Sequence, residues 1–275
     1  MFASNPFAEI SGSVPPAVMQ AYVIAMIVLV AAGTLFDVIH KGSARYFFEN
    51  WRKTQRKGVK PVETGELVSI AVKTGVVDVL TSGEFCNPRR RLAHLLTMYG
   101  FVIHVATTAI MIFAYPGAAT PAPAILPQLW WLGGLMVCAG GYWFWFFIRV
   151  DVAAEGQSPL RVMRADLFIL SLLASVTLGL AWAGSGGGAG VLFGLYILAT
   201  TVLFGSVPWS KFAHMFFKPA AAFEKRVSEA NGSAENLPTQ TRDDPEQRER
   251  HSMELLKNAP MNMGLGIKRE APRHY

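Results

Sequence analysis

The chain has 275 residues, of which 52% are hydrophobic and only 16% are charged. Because the apolar residues are gathered in long runs, this composition excludes an ordinary soluble domain. The net charge of +6 does not indicate nucleic-acid binding here, since basic residues beside a membrane explain it. The two cysteines also exclude an iron–sulfur cluster held by this chain alone, because such a cluster needs about four ligands.

Long apolar runs follow one another along the chain. A helix needs about 20 apolar residues to cross the ~30 Å hydrocarbon layer of a membrane. Five runs approach that length: residues 17–39, 92–115, 129–148, 166–183 and 190–210. The first run is too long for a signal peptide and a basic stretch follows it, so we expect it to be retained. The pattern predicts an all-α integral membrane protein, built as a five-helix bundle.

The basic residues predict the orientation of this bundle. All 25 Lys and Arg fall on one side of a five-span topology, in residues 40–91, residues 149–165 and the C-terminal tail. The positive-inside rule then places the N-terminus outside and the C-terminus inside. We therefore expect a multi-pass protein of the bacterial inner (cytoplasmic) membrane. Its membrane domain would comprise residues 1–220, with a cytoplasmic loop at 40–91, and residues 221–275 would form a polar cytoplasmic tail.

The cytoplasmic loop is too long for a simple turn. Its middle, "GELVSIAVKTGVVDVL", alternates apolar and polar residues and predicts one or two short helices at the membrane surface. These helices would either pack under the bundle or form a docking face for a soluble subunit. In the tail, "DDPEQRERHSMELLKN" predicts a short helix with Asp243 or Asp244 near its N-cap.

Four histidines lie in or at the ends of the predicted spans: His40, His94, His104 and His214. A polar ring is costly there, so a function is the first hypothesis, and a hydrogen bond between helices is the alternative. His94 near the start of the second span and His214 at the end of the fifth lie at similar depth, as bis-histidine ligation of a haem requires. His104 lies ~15 Å further along the second span, a position that suits a second haem.

Two segments carry a resemblance to a known family. "RRRLAHLLTMYGFVIHVATTAIMIF" and "SVPWSKFAHMFFKP" resemble the second and fifth helices of cytochrome b subunits typified by the nitrate reductase gamma subunit and the heterodisulfide reductase membrane subunit. The resemblance covers roughly residues 15–220. It implies that His94 and His214 bind the iron of a haem b.

The resemblance is incomplete at the second haem. The family's outer haem uses the second histidine of span 2, here His104, and a histidine at the position that Tyr196 occupies. A second haem is therefore in doubt. Three alternatives remain open: Tyr196 binds the iron, His104 lines a quinone pocket, or His40 is a ligand near His94. Among the basic residues near the inner haem, Arg91 and Lys211 would either pair with its propionates or anchor helix ends.

The resemblance also implies a function. A membrane-anchoring b-type cytochrome would pass electrons between a cytoplasmic iron–sulfur or flavoprotein partner and quinone, as one step of a respiratory chain. The chain is similar to the membrane anchor of adenylylsulfate reductase, which would place it in sulfur metabolism. Its partners would be that soluble subunit, membrane lipid and quinone, with no nucleic acid. The alternative is a haem-free anchor that tethers a soluble enzyme; a small transporter is a weaker one, because no internal symmetry is visible.

Overall fold

The computed structural model describes residues 2–83, 85, 87–149, 162–210, 214–235, 237 and 244–250. Within these ranges every regular element is helical and no strand occurs, which confirms the all-α prediction. The chain divides into two compact units. Unit 1 comprises Met1–Thr34 and Leu92–Phe212, and unit 2 comprises Leu35–Arg91 and Ala213–Tyr275.

The α-helices are α1 Pro6–Glu9, α2 Pro16–His40, α3 Ser43–Lys57, α4 Thr64–Lys73, α5 Pro88–Ala114, α6 Ile125–Trp143, α7 Leu167–Gly184, α8 Val191–Gly205, α9 His214–Ala230 and α10 Pro245–Arg250. Two of them continue as π-helix: α4 through Thr74–Leu80 and α6 through Phe144–Ile148. Short 3₁₀ turns occur at Ile10–Gly12, Arg164–Asp166 and Val207–Trp209.

Four helices are long and apolar enough to cross a membrane: α2, α5, α6 with its π-helical end, and α7. They correspond to the first four predicted runs. The fifth run forms α8, an apolar helix of only 15 residues. It stops at Gly205 and is followed by a 3₁₀ turn that contains Pro208, whose ring and missing N–H do not fit a helix interior.

Glycines allow α5 and α6 to approach at backbone contact in unit 1. A Cβ atom built on Gly100 would lie 2.6 Å from the carbonyl oxygen of Gly133, and one on Gly133 would lie 2.8 Å from that of Gly100. Further along, a Cβ on Gly140 would lie 2.6 Å from the carbonyl oxygen of Ala93. Small residues at helix crossings are typical of membrane proteins, where close van der Waals packing drives association.

Hydroxyl groups join the remaining helices of unit 1. Ser175 of α7 and Thr200 of α8 lie 2.7 Å apart and are both buried. The hydroxyl of Tyr22 in α2 donates to the carbonyl oxygen of Ile197 in α8 at 3.1 Å. Tyr142 of α6 bonds to Thr177 of α7 at 2.8 Å. These bonds keep polar groups satisfied inside an apolar unit.

Unit 2 is held together by polar side chains. Thr54 of α3 donates to the carboxylate of Glu224 in α9 at 2.8 Å, and Asn231 donates to the carbonyl oxygen of Thr54 at 2.9 Å. Arg226 of α9 makes two hydrogen bonds of 2.8 Å to Asp78 in the π-helical segment. The short helix predicted in the middle of the loop at 40–91 is present as α4 with its π-helical continuation. The start of the predicted tail helix is present as α10.

Candidate functional site

A buried group of rings fills the interior of unit 1; we call it the aromatic cluster, and its members are Phe7, His104, Trp130, Trp182 and Tyr196. The imidazole of His104 in α5 stacks on the indole of Trp130 in α6, with ring centroids 4.6 Å apart. Its Nδ1 atom lies 2.9 Å from the carbonyl oxygen of Trp130. Both contacts join α5 to α6, so this histidine serves as a bond between helices.

The rest of the aromatic cluster extends from Trp130 to α8. Phe7, from the N-terminal segment, meets Trp130 edge-on at 6.0 Å and lies 5.5 Å from Trp182 in α7. Trp182 stacks on Tyr196 of α8 at 5.7 Å, with ring planes only 11° apart. A single buried array of rings therefore connects the N-terminal segment with α5, α6, α7 and α8.

Two glycines make room for these rings. A Cβ atom on Gly179 would lie 3.0 Å from a carbon of the Tyr196 ring, and one on Gly134 would lie 3.2 Å from Nδ1 of His104. Since 3.0–3.4 Å is tighter than nearly all real Cβ contacts, any larger residue would displace the ring it faces. The sequence positions these side chains by leaving space for them on the neighbouring helix.

Of the residues predicted to bind cofactors, His104 and Tyr196 belong to this one cluster. His94 lies on an exposed face of α5 in unit 1. His40, in unit 2, is exposed at the end of α2 and stacks on Phe36 at 5.2 Å. Arg91 donates to the carbonyl oxygen of Thr81 at 2.7 Å.

The predicted pairing of His94 with His214 stays a prediction. His214 is the first residue of α9, in unit 2, and its side chain is outside the described part of the structure. Lys211 lies wholly outside the described residues. Among the residues that are described, no group of three or more His, Cys, Asp or Glu could hold a metal ion.

Sequence reasoning missed a buried ion pair in unit 1. Arg149, just after α6, makes two hydrogen bonds to the carboxylate of Asp166, just before α7, one of them 3.0 Å long. The guanidinium also lies 4.2 Å from the ring centre of Trp145, and the backbone N–H of Met163 donates to Asp166 at 2.8 Å. Both charged side chains are buried. The available signal was an arginine and an aspartate at the facing ends of consecutive apolar runs.

Comparison with known proteins identifies relatives of the chain. Residues 1–235 match the family CitB, described as citrate utilization protein B. The chain is 27% identical over 200 residues to the citrate utilization protein B of Escherichia coli, an alignment that includes 67% of this chain and 52% of that protein. The chain thus spans about half of the length of this curated relative. No solved structure matched the chain.

These matches correct the resemblance drawn from the sequence. The assignment to the cytochrome b family of nitrate reductase gamma and heterodisulfide reductase membrane subunits is wrong. The inferred function, a cytochrome b passing electrons from a soluble partner to quinone, is overturned with it, and haem, a respiratory chain and sulfur metabolism are not supported. The physical reason is that the resemblance depended on histidine spacings in apolar helices. At His104 the helix contacts with Trp130 account for the histidine without a haem.

Proposed function

The chain belongs to the citrate utilization protein B family, and we propose that it acts in citrate utilization as a multi-pass membrane protein. The observation that carries this proposal is the family match, which runs from residue 1 to residue 235 and so includes helices α1 to α9. The four long apolar helices support the membrane location, because each has the length and composition to cross a bilayer.

The interior of unit 1 supports a role other than that of a citrate carrier. A carrier for a tricarboxylate would present cationic groups inside its helices, at the substrate site. In the described part of unit 1 the buried basic side chain is Arg149, and Asp166 already neutralises it. The aromatic cluster fills the interior of the unit with one imidazole and four aromatic rings. We therefore propose that the chain serves citrate utilization without carrying citrate between its own helices.

We further propose that the chain crosses the bacterial cytoplasmic membrane five times, with the N-terminus outside and the C-terminus inside. α8 is ~22 Å long at 1.5 Å per residue, and the 3₁₀ turn Val207–Trp209 lengthens the apolar segment. The hydroxyl bonds to α2 and α7 place α8 alongside two long apolar helices. The position of every Lys and Arg on one side supports the orientation.

A growth experiment tests the functional proposal. We expect a host strain that lacks the chain to grow poorly on citrate and normally on glucose, and expression of the full chain to restore growth on citrate. The chain should stay in the membrane pellet after alkaline carbonate extraction. Normal growth of the deletion strain on citrate would contradict the role in citrate utilization, whereas release by carbonate would contradict only the membrane location.

Reporter fusions test the topology. A periplasm-specific reporter joined after Gly188 should be active, and one joined after Glu235 should be inactive, because α8 separates the two positions. A fusion after Lys60 is the matched control on the basic side. Equal activity at Gly188 and Glu235 would show that α8 does not cross, which leaves four spans.

A further inference from the structure

α3 begins where the chain leaves the membrane-spanning helix α2. α2 ends at His40, and Lys41 and Gly42 connect it to Ser43, the first residue of α3. Gly42 has a φ of +68°, a left-handed conformation that ends α2 and turns the chain. Three residue steps reach about 10 Å at most, so the first turn of α3 stays within about 10 Å of the end of α2.

One face of α3 is covered by α9, within unit 2. Asn50 and Thr54 are buried on this face, and Trp51 stacks on Phe223 of α9 with ring centroids 5.9 Å apart. Because α3 is fixed along this side, its opposite face is directed outward.

The outward face carries a stripe of arginines. Arg45, Arg52 and Arg56 follow one another at spacings of about two turns and one turn, which puts them on the same side of the helix. Arg45 is paired with Glu49 at 2.7 Å. Arg52 and Arg56 are exposed, and within the ranges that the structure describes they form no ion pair. Glu49 lies on the same face and its carboxylate also interacts with the charge of Arg52. With three arginines and one glutamate, the stripe keeps an excess of positive charge.

Exposed aromatic and apolar side chains accompany the stripe. Tyr46 and Phe48 flank it on its two sides and are 62% and 57% exposed. Ile39, in the last turn of α2, is 67% exposed. Aromatic rings of this kind concentrate at the level of lipid headgroups, and guanidinium groups form paired hydrogen bonds with phosphate oxygens. Exposed rings and guanidinium groups on one helix face are better suited to contact with a lipid surface than to contact with water alone.

We propose that the outward face of α3 lies on the anionic surface of the bilayer that α2 crosses, with Arg52 and Arg56 on the phosphate groups of acidic phospholipids and with Tyr46 and Phe48 in the headgroup layer. Charge complementarity identifies the lipid, since membrane surfaces rich in acidic lipid attract basic segments next to a span. The connection of about 10 Å between α2 and α3 holds α3 close to the bilayer once α2 is inserted. The effective concentration of lipid at α3 is then high, so weak individual contacts suffice for binding.

The experiment uses the full chain in nanodiscs made of phosphatidylcholine with increasing phosphatidylglycerol. With Cys86 and Cys138 replaced by Ser, the variant Phe48→Cys carries an environment-sensitive fluorophore, and Gln55→Cys repeats the measurement on the same side of α3. Spin-labelled lipid with its nitroxide near the headgroup should quench both labels, increasingly as phosphatidylglycerol is added. Incorporation into the nanodisc is measured separately, so failure of α2 to insert is distinguished from failure of α3 to bind.

A pair of charge variants isolates the arginines. Removing two basic residues near an anionic surface weakens its binding by about 30-fold, so Arg52→Gln with Arg56→Gln should need far more phosphatidylglycerol for the same quenching. Lys60→Gln with Lys73→Gln removes two exposed charges outside α3 and should behave as the parent. Labels that stay in water in every lipid would overturn the proposal and point to an acidic soluble partner. Equal effects of the two variants, or quenching independent of phosphatidylglycerol, would also overturn it.

Discussion

The two units bury opposite kinds of side chain. In unit 1 the buried residues are mostly large and apolar, and the helices touch through glycines such as Gly100 and Gly133. In unit 2, within the described residues, the buried side chains are mostly polar, for example Asn50, Thr54 and Glu224, and many valines and aromatic rings are exposed instead. The interior of unit 1 is therefore mainly apolar and that of unit 2 mainly polar.

The difference shows what stabilises each unit. In the proposed membrane location there is little hydrophobic driving force between the helices of unit 1, so close backbone packing and a few satisfied polar bonds determine its stability. Unit 2 depends on directed bonds among its own polar groups, and its exposed apolar side chains gain from a surface that covers them. Four substitutions test this comparison, from the largest expected effect to the smallest.

Asp166→Asn should destabilise unit 1 the most. It removes the negative charge that Asp166 places on the buried guanidinium of Arg149, and breaking a buried ion pair costs about 3–5 kcal/mol. The measurement is the height of the folded peak in size-exclusion chromatography after the protein is heated in detergent. We expect the temperature at which half of this peak is lost to be much lower in the variant. Asp78→Asn is the matched control in unit 2: its partner Arg226 is partly exposed, so the loss should be about 1 kcal/mol. Similar losses for both would mean that burial does not distinguish the two pairs.

Gly100→Ala should separate α5 from α6. The new methyl group would lie 2.6 Å from the carbonyl oxygen of Gly133, and backbone cannot move aside as a flexible side chain can. We expect a loss of about 1–3 kcal/mol, seen as a lower thermal midpoint. Gly194→Ala in α8 is the control, because nothing lies within 4 Å of its added methyl and alanine favours a helix. A Gly100→Ala protein as stable as the control would show that α5 and α6 do not meet at this crossing.

The sequence predicted the long apolar helices α2, α5, α6 and α7, because hydropathy and its periodicity are local properties. In unit 2 it predicted α4 but neither α3 nor α9. It overestimated the length of the fifth helix. The predicted run extends to residue 210, but Ser206 and Pro208 belong to the turn that follows α8. It could not predict that Arg149 and Asp166 pair, since the contact depends on how α6 and α7 meet. At His104 the sequence left two alternatives open, a function and a hydrogen bond between helices. Only the packed structure shows that its imidazole contacts Trp130 of the neighbouring helix.

Thr54→Val tests unit 2 by removing one buried donor. The carboxylate of Glu224 would lose the hydrogen bond of 2.8 Å from the Thr54 hydroxyl, while the shape of the side chain is kept. We expect a loss of about 1–2 kcal/mol confined to unit 2. Hydrogen exchange of α3 and α9 should accelerate, and exchange of α6 and α7 should not. Gln55→Ala, an exposed change one residue away, is the control. Unchanged exchange in α3 would contradict the view that polar bonds hold this unit.

Arg45→Gln should change the charge of one residue and leave the fold intact. The hydrogen bond from Arg45 and its positive charge hold the pKa of Glu49 below its usual range. Since this pKa is lower in the folded state, the pair stabilises α3 above the unfolded pKa, and the contribution is lost as pH falls through the folded pKa. In nanodiscs of pure phosphatidylcholine, the carbon-13 titration of Glu49, assigned with Glu49→Gln, should shift to higher pH in Arg45→Gln. The thermal midpoint should fall only slightly, because both side chains are exposed and an exposed ion pair contributes little to stability. A Glu49 titration that does not move would mean that Arg45 is not its partner, and would add Arg45 to the charges available to the membrane surface.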